Sequence, residues 1–243
     1  LIALTEWAAS FVLDGIVVVT DEIENRFPAK KTALVRNFPI LQEMHTPDAR
    51  PMRDRPREFT YIGTITQNRN IFRMMEAVDG LADQQARLRL AGDFILADDQ
   101  RIAESLPAWR RVKYEGWLSR EGVASILADS RAGLVLLKPV PHEMVTLPIK
   151  LFEYMAAGIP VISSDFPLWR KIVDEARCGL LVDPEDAPAM TAAMQWVLDN
   201  PEEAQAMGER GRQAIERTCN WEIEAEALIA FYQDKLGAKA LPA

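Results

Sequence analysis

The sequence has few cysteines and histidines, no excess of basic residues and no long apolar run. Two cysteines, Cys178 and Cys219, are too few for a disulfide framework or a Cys-rich metal site, although one bridge between them stays open. The 28 Lys and Arg against 36 Asp and Glu leave a net charge of −8, which argues against binding to nucleic acid. Apolar stretches fall far short of the roughly 20 residues that cross a bilayer. We therefore predict a soluble, cytoplasmic protein.

Short β-rich runs alternate with longer helical patterns along the whole chain. This alternation is typical of parallel sheets built from right-handed crossovers, so it predicts an α/β fold with a doubly wound, Rossmann-like sheet. The predicted strands cover 15–19, 32–36, 58–62, 87–91, 111–115, 133–137, 160–163 and 179–182. After a helix that ends near residue 13, the predicted helices cover 21–27, 69–81, 98–105, 119–129, 148–157, 167–176, 187–199, 202–217 and 221–236.

A proline-rich segment, 39–57, interrupts this alternation. Proline blocks helices and central strands, so we predict an interdomain linker that contains neither. Segment 58–218 holds six predicted strands, enough for a complete doubly wound domain, whereas 1–38 holds two and cannot close a core. We therefore expect 1–38 to be the remnant of a larger N-terminal domain. The last segment, 219–243, is expected to be a helix and tail that pack on 58–218 or cross back to the preceding domain.

The predicted helix 148–157 combines an almost wholly apolar surface with Lys150 and Glu153, three residues apart on one face. Pro148 and Gly158 mark its start and end. In doubly wound sheets, such helices point their N-termini at the crevice where anions bind. Lys150 would add a cation there, and Glu153 would accept hydrogen bonds from hydroxyl groups such as those of ribose. A Lys150–Glu153 ion pair on a half-exposed helix is an equally good interpretation of the spacing.

A second candidate anion site follows the predicted strand 58–62. Gly63 would let the backbone approach a ligand closely, and Arg69 could clamp a phosphate. One glycine falls short of a phosphate-binding motif, so the simpler interpretation is a turn glycine and a surface cation.

Two further features are weaker. Trp117, in a loop after a predicted strand, could stack on a base or plug the end of the sheet, and we favour the plug. His45 and His142 lie in predicted loops, far apart and without clustered Cys or His, so no metal site is predicted.

Taken together, several stretches resemble the C-terminal half of retaining glycosyltransferases with the two-domain GT-B fold, often called family four or group one. These stretches are YIGTITQNRN, RLRLAGD, VKYEGWLSREGVASILADS, TLPIKLFEYMAAGIPVISSDFPLWRKIV, CGLLVDPEDAPAMTAAMQWVLDNPEEAQAMGERGR and NWE. They follow the family's order and cover 58–236 almost continuously, and the LPIKLFEYMAAGIPVI block is the most specific. Upstream, DGIVVVTDEI and TALVRNFP resemble the last strand, helix and strand of the family's N-terminal domain, with 39–57 as the connector.

The resemblance implies an enzyme that moves a hexose, with retention of configuration, from a nucleotide-sugar donor such as a UDP-sugar to a saccharide or lipid-linked acceptor. It implies no cofactor and no metal, and a place in bacterial surface polysaccharide biosynthesis. The acceptor pocket, the catalytic residues and any peripheral membrane association would belong to sequence preceding Leu1, so that this chain would be inactive alone.

The resemblance also implies roles for particular residues. Arg69 matches the family's basic residue at the diphosphate, while Thr64 replaces a second one, so the phosphate clamp would rely on Arg69 and Lys150. Glu153 matches the second glutamate of a paired-glutamate motif and would hold the ribose hydroxyls. The first glutamate would fall at Val145, with Glu143 close in the same loop. The loop residues 144–147 would line the sugar and phosphate pocket, and 116–118 the base. The implied donor site comprises Gly63, Thr64, Arg69, Gly116, Trp117, Leu118, Glu143, Met144, Val145, Thr146, Leu147, Lys150 and Glu153.

Two other functions stay open on the sequence. A sugar-nucleotide 2-epimerase shares the GT-B fold, although the connector and the LFEYMAAG block favour the transferase. A non-catalytic nucleotide-sugar-binding module is suggested by Val145 and by the missing N-terminal half.

Overall fold

The computed structural model describes residues 2–44 and 49–237. His45 and the last six residues of the predicted tail, 238–243, lie outside the described residues. The chain divides into two compact units. One comprises the residues up to Leu41 together with those from Thr218 onward, and the other is Gln42–Arg217.

Strands and helices alternate as the sequence predicts. The strands are β1 (Ile16–Val18), β2 (Thr32–Leu34), β3 (Glu58–Ile62), β4 (Arg87–Ala91), β5 (Val112–Gly116), β6 (Ala132–Val135), β7 (Val161–Ser164) and β8 (Gly179–Val182). The helices are α1 (Ile2–Val12), α2 (Asp21–Glu24), α3 (Leu41–Met44), α4 (Ile71–Asp79), α5 (Ala97–Ser105), α6 (Arg120–Ala128), α7 (Pro141–Met144), α8 (Ile149–Ala156), α9 (Pro167–Ala176), α10 (Ala187–Asp199), α11 (Pro201–Thr218) and α12 (Trp221–Leu236). Every predicted strand and helix is present, and the short helices α3 and α7 are additions.

In the first unit, β1 and β2 form a two-stranded parallel sheet, and α12 packs on it. The amide of Trp221 donates a hydrogen bond to the carbonyl of Pro39 at 3.0 Å, and the carboxylate of Glu224 accepts one from the amide of Arg36 at 2.7 Å. Of the two interpretations of the last helix, the structure supports the one in which the helix crosses back and packs on the strands that precede 58–218.

Segment 39–57 contains helical structure, so the prediction of a linker without helix was wrong. It includes α3 and a 3₁₀ turn over Met52–Asp54, and the side chains of Met44 and Met52 are buried. Pro51 precedes the first residue of that 3₁₀ turn. A proline blocks a helix only in its interior, because the first residues of a helix need no backbone donor.

The second unit is a six-stranded parallel sheet in the order β5-β4-β3-β6-β7-β8, which confirms the doubly wound α/β fold. The chain builds outward from β3 in one direction and from β6 in the other. Ligands of doubly wound sheets bind where the carboxyl ends of two such central strands diverge. In this fold a ligand site is therefore expected at the carboxyl ends of β3 and β6.

Both faces of this sheet are packed. Alternate positions along β3, β4 and β6 form one buried cluster with methionines of α4 and α10. The cluster includes Phe59, Tyr61, Leu88, Leu90, Ala132, Leu134, Met74, Met75, Met190 and Met194. On β6, Gly133 leaves room for the ring of Tyr154 of α8, because a Cβ at Gly133 would lie 2.2 Å from that ring. The hydroxyl of Tyr154 accepts a hydrogen bond from the amide of Ile62 at 3.0 Å. This contact fixes α8 against the end of β3.

Cys178 and Cys219 are free thiols, so the bridge left open by the sequence is not formed. No helix among the described residues is both long enough and apolar enough to cross a bilayer.

Candidate functional site

A cavity of about 530 Å³ opens at the carboxyl ends of the central strands. Loops after β3, β4, β5 and β6 and the start of α8 form its wall. Its lining consists of Ile62, Gly63, Thr64, Arg69, Ala91, Gly92, Trp117, Leu118, Arg120, Val123, Glu143, Thr146, Leu147, Pro148, Ile149, Lys150 and Glu153. Ten of the thirteen residues that the sequence proposed are in this lining. Gly116, Met144 and Val145 are not.

Two glycines in the cavity lining allow the loops after β3 and β4 to approach each other closely. Gly63 and Gly92 have φ values of +109° and +136°, which side chains rarely tolerate. A Cβ at Gly92 would lie 2.0 Å from the carbonyl oxygen of Gly63, so no other residue fits there without moving the loop. Sequence reasoning selected Gly63 and missed Gly92, although Gly92 also follows a predicted strand directly.

Lys150 lies one residue into α8 and is half-buried. Its Nζ sits 3.8 Å from the centre of the Tyr61 ring and makes no ion pair with another described residue. The proposed Lys150–Glu153 ion pair is therefore not formed. Burial, followed by the nearby Arg69 guanidinium, lowers the pKa of Lys150 from 10.5 to about 7, although Glu153 and Glu143 oppose the shift. The cavity thus contains a cation whose charge no neighbouring carboxylate neutralises directly.

Glu153 is paired with a residue that the sequence did not select. Its Oε1 lies 2.5 Å from Nη1 of Arg120, and its side chain is only 10% exposed. Arg120 also contacts Glu43 of α3, with Nε and Oε2 at 2.9 Å. No spacing rule joins positions 43, 120 and 153, since they lie on three separate helices. Only the tertiary fold reveals this pairing.

Arg69 is paired as well. It lies in a 3₁₀ turn before α4, where the hydroxyl of Thr66 accepts a hydrogen bond from its amide at 3.2 Å. Its Nη1 lies 2.8 Å from Oε1 of Glu143, which belongs to the unpredicted helix α7. The Arg69 side chain is 35% exposed and lines the cavity, where it forms part of an ion pair. This ion pair links the loop after β3 to the loop after β6.

The loop after β6 is fixed by a second contact. The indole of the buried Trp169 donates a hydrogen bond to the carbonyl of Thr146 at 2.8 Å. Val145, where the family resemblance places a glutamate, is 62% exposed. The carboxylate nearest to that position in the lining is Glu143, two residues earlier.

Trp117 is 73% exposed and borders the cavity. The preferred interpretation, that it plugs the sheet, is wrong, because a plug would be buried. The loop after β5 instead presents an indole face that a planar ring could stack on. Among the described residues, no three or more His, Cys, Asp or Glu side chains are grouped so as to hold a metal ion.

The parallel sheet with helices on both faces is a doubly wound α/β architecture, and solved GT-B glycosyltransferases share it. Sucrose-phosphate synthase from Thermosynechococcus elongatus superposes with a TM-score of 0.75 over 98% of this chain and 62% of its own, at 24% identity. HepE of Anabaena in complex with UDP gives a TM-score of 0.74 over 93% of this chain and 65% of its own, at 11% identity. These likenesses establish the fold.

The particular family follows from sequence. The sequence pattern of the glycosyl transferases group 1 matches residues 46–214, and the chain belongs to this family. MMP alpha-(1->4)-mannosyltransferase of Mycolicibacterium hassiacum is 26% identical over 176 residues, which is 68% of this chain and 42% of that protein. GDP-mannose-dependent alpha-mannosyltransferase of Mycolicibacterium smegmatis is 26% identical over 204 residues, 84% of this chain and 48% of that protein. The chain thus spans less than half the length of these relatives.

Proposed function

We propose that this chain is the donor-binding part of a retaining glycosyltransferase that transfers a hexose from a nucleotide sugar to a saccharide or lipid-linked acceptor. The observation that carries the proposal is Lys150, a half-buried cation that no other described residue pairs with, at the start of α8 in the crevice of the sheet. A burial of that kind costs free energy, so it is best explained by an anionic ligand.

The diphosphate of the donor would bind at Lys150, Arg69 and the backbone around Gly63. Sugar transfer leaves negative charge on the departing diphosphate, and fixed cations stabilise that charge without having to reorganise. We propose that these side chains, rather than a metal or a cofactor, supply the positive charge. Arg69 would exchange Glu143 for phosphate oxygens, because phosphate suits the bidentate geometry of a guanidinium equally well.

The nucleoside would extend from the diphosphate toward α6. Glu153 would accept hydrogen bonds from the ribose hydroxyls, and the base would lie against Trp117 and Leu118, which line the cavity and directly precede the cap of α6. Thr146 and Leu147 would line the sugar.

Two similar proteins differ in the base that they are named with: the relative from Mycolicibacterium smegmatis is a GDP-mannose-dependent alpha-mannosyltransferase, whereas the HepE structure is a complex with UDP. We propose further that the complete protein works in the cytoplasm in surface polysaccharide synthesis. Its remaining part would supply the acceptor pocket, the other catalytic groups and any peripheral attachment to a membrane.

Isothermal titration of the chain with UDP, GDP and their sugars tests donor binding. We expect one base to bind, and Lys150→Ala and Glu153→Gln to weaken that binding about tenfold or more, since each removes a contact involving a charge. Lys171→Ala and Glu175→Gln, on the exposed side of α9, are matched controls that should bind normally. Absence of binding to every nucleotide, or undiminished binding by the Lys150→Ala, Glu153→Gln double variant, would refute the proposal.

Activity of the complete protein separates the remaining alternatives. A transferase consumes the donor only when an acceptor is present, and NMR of the product reports whether the anomeric configuration is retained. Conversion of the donor sugar without any acceptor would indicate an epimerase instead. Nucleotide binding with neither reaction, across a panel of saccharide and lipid-linked acceptors, would indicate a non-catalytic module.

A further inference from the structure

We infer that Arg120 is a positioning residue of the donor site, which holds one carboxylate oxygen of Glu153 and thereby reserves the other for the ribose hydroxyls of the nucleotide. The inference rests on the proposed function, because it concerns how that same cavity recognises the nucleoside. It predicts that Arg120 determines the preference of the site for ribose over deoxyribose.

The two oxygens of the Glu153 carboxylate have different partners. Nη1 of Arg120 lies 2.5 Å from Oε1, whereas Oε2 accepts no hydrogen bond from any described residue. Glu153 lines the cavity, so we infer that Oε2 is the oxygen that a ligand there would meet. A carboxylate can accept several hydrogen bonds at each oxygen. The ion pair with Arg120 therefore orients Glu153 without consuming its capacity to bind hydroxyl groups.

Arg120 is itself held by residues of α3. Its Nε lies 2.9 Å from Oε2 of Glu43, and its Nη2 lies 4.0 Å from the sulfur of the buried Met44. A guanidinium is planar, so contacts at Nε and Nη1 fix both its position and its plane. Glu43 thus belongs to the same arrangement, one contact further from the ligand.

The stability of α6 does not explain why an arginine lies at its start. Arg120 is the first residue of α6, after the cap residue Ser119. The amino end of a helix carries partial positive charge, so a cation there is unfavourable. Arg120 is therefore placed against the preference of its own helix, and its two carboxylate partners provide the compensating interaction.

The test compares a nucleoside diphosphate with its 2′-deoxy counterpart by isothermal titration, using UDP or GDP according to which one binds. We expect the wild-type chain to prefer the ribonucleotide about tenfold or more, as for a hydrogen bond to a charged group. In Arg120→Met that preference should fall to within about twofold, mainly through weaker ribonucleotide binding. Arg120→Lys should restore part of it, since a lysine can hold only one of the two carboxylates. Glu43→Gln should reduce it less than Arg120→Met does.

A double-mutant cycle shows whether Arg120 acts through Glu153. In a Glu153→Gln background, Arg120→Met should change the ribose preference no further, because coupled residues are not additive. Arg101→Met is the matched control, since Arg101 also forms an ion pair on a helix but lies outside the cavity lining. Thermal unfolding of each variant separates loss of fold from loss of ribose preference, and Arg120→Met should retain a cooperative transition.

Several results would overturn the inference while the proposed function stands. These are a wild-type chain that binds both sugars equally, an Arg120→Met variant that keeps the preference, and effects of Arg120→Met and Glu153→Gln that add. If no nucleotide binds to the wild-type chain, the proposed function itself fails and the inference falls with it.

Discussion

Binding of a diphosphate in the cavity should be coupled to the uptake of a proton by Lys150. Burial and the neighbouring Arg69 hold the pKa of Lys150 at about 7, so much of this side chain is neutral in the unliganded chain at pH values above that. An anion beside Nζ favours the charged form and raises the pKa again. Binding and protonation are therefore linked, and affinity should fall as pH rises above about 7.

The size of the effect follows from the charges. One unit charge about 4 Å from Nζ contributes about 4 kcal/mol at an effective dielectric constant near 20. Since about 1.4 kcal/mol corresponds to one pKa unit, the pKa of Lys150 should rise by about three units in the complex. At about pH 8, where a group of pKa about 7 is only about one-tenth protonated, binding should take up about 0.9 proton. The dissociation constant should rise roughly tenfold per pH unit between about 7 and 9.

Isothermal titration in buffers of different ionisation enthalpy measures this uptake directly. A nucleotide sugar is the better ligand, because its phosphates are both esterified, whereas a terminal phosphate titrates near pH 6 on its own. Lys150→Arg is the control, since an arginine stays charged and should bind with little pH dependence in this range. Uptake near zero at about pH 8, or the same pH dependence in Lys150→Arg, would refute this reasoning.

Four further outcomes are expected. Trp117→Ala should weaken nucleotide binding by roughly tenfold or more and leave the melting temperature unchanged, since the side chain is 73% exposed and stacks only on a ligand; unaltered affinity would argue against stacking. Glu143→Gln should strengthen diphosphate binding a few-fold by releasing Arg69, so weaker binding on titration would mean that Glu143 assists it. Gly92→Ala should lower stability and binding together, because its Cβ would lie 2.0 Å from a carbonyl oxygen, and a variant that melts normally would contradict that geometry. Lys150→Met should raise the unfolding free energy at neutral pH. In the wild-type chain the unfolding free energy should increase between about pH 7 and 10, because the unfolded chain then binds more protons at Lys150 than the folded chain does, and the variant should lack this increase. Denaturant unfolding at several pH values in this range measures both effects.

Most of the fold could be predicted from the sequence because its strands are short, buried and separated by periodic helices. The four residues of β6 are all buried, and with Leu136 and Leu137 they form the kind of continuous apolar run that predicts a buried strand. The two helices that the sequence did not predict, α3 and α7, have four residues each, too few for apolar residues to repeat at the helical spacing. The prediction for 39–57 was wrong because it relied on the number of prolines. A proline shows that a helix does not continue through that position, but a helix or turn can begin directly after it.

Residues of the candidate site could be predicted from the sequence where they lie directly after a strand or at the start of a helix. Gly63, Arg69 and Lys150 could be selected because each follows a recognisable strand or opens a helix. The ion-pair partners of these residues could not be predicted, because ion pairs here join segments that are far apart in the sequence. Glu153 pairs with Arg120 rather than with Lys150, which is only three residues away. The exposure of Trp117 was missed for the same reason, since burial of a loop residue depends on what lies opposite it.

These pairings determine the charge that a ligand meets. Arg69 with Glu143, and Arg120 with Glu153, are cation–carboxylate pairs whose charges cancel. Within the described chain, Lys150 is the cation of the cavity lining that lacks such a partner, and its pKa of about 7 makes its charge depend on pH. The cavity therefore changes from near neutral to positive when a proton binds at Lys150. Because a bound diphosphate favours that proton, the site acquires its positive charge as the anion arrives, and the chain avoids the full cost of burying the cation when the cavity has no anion in it.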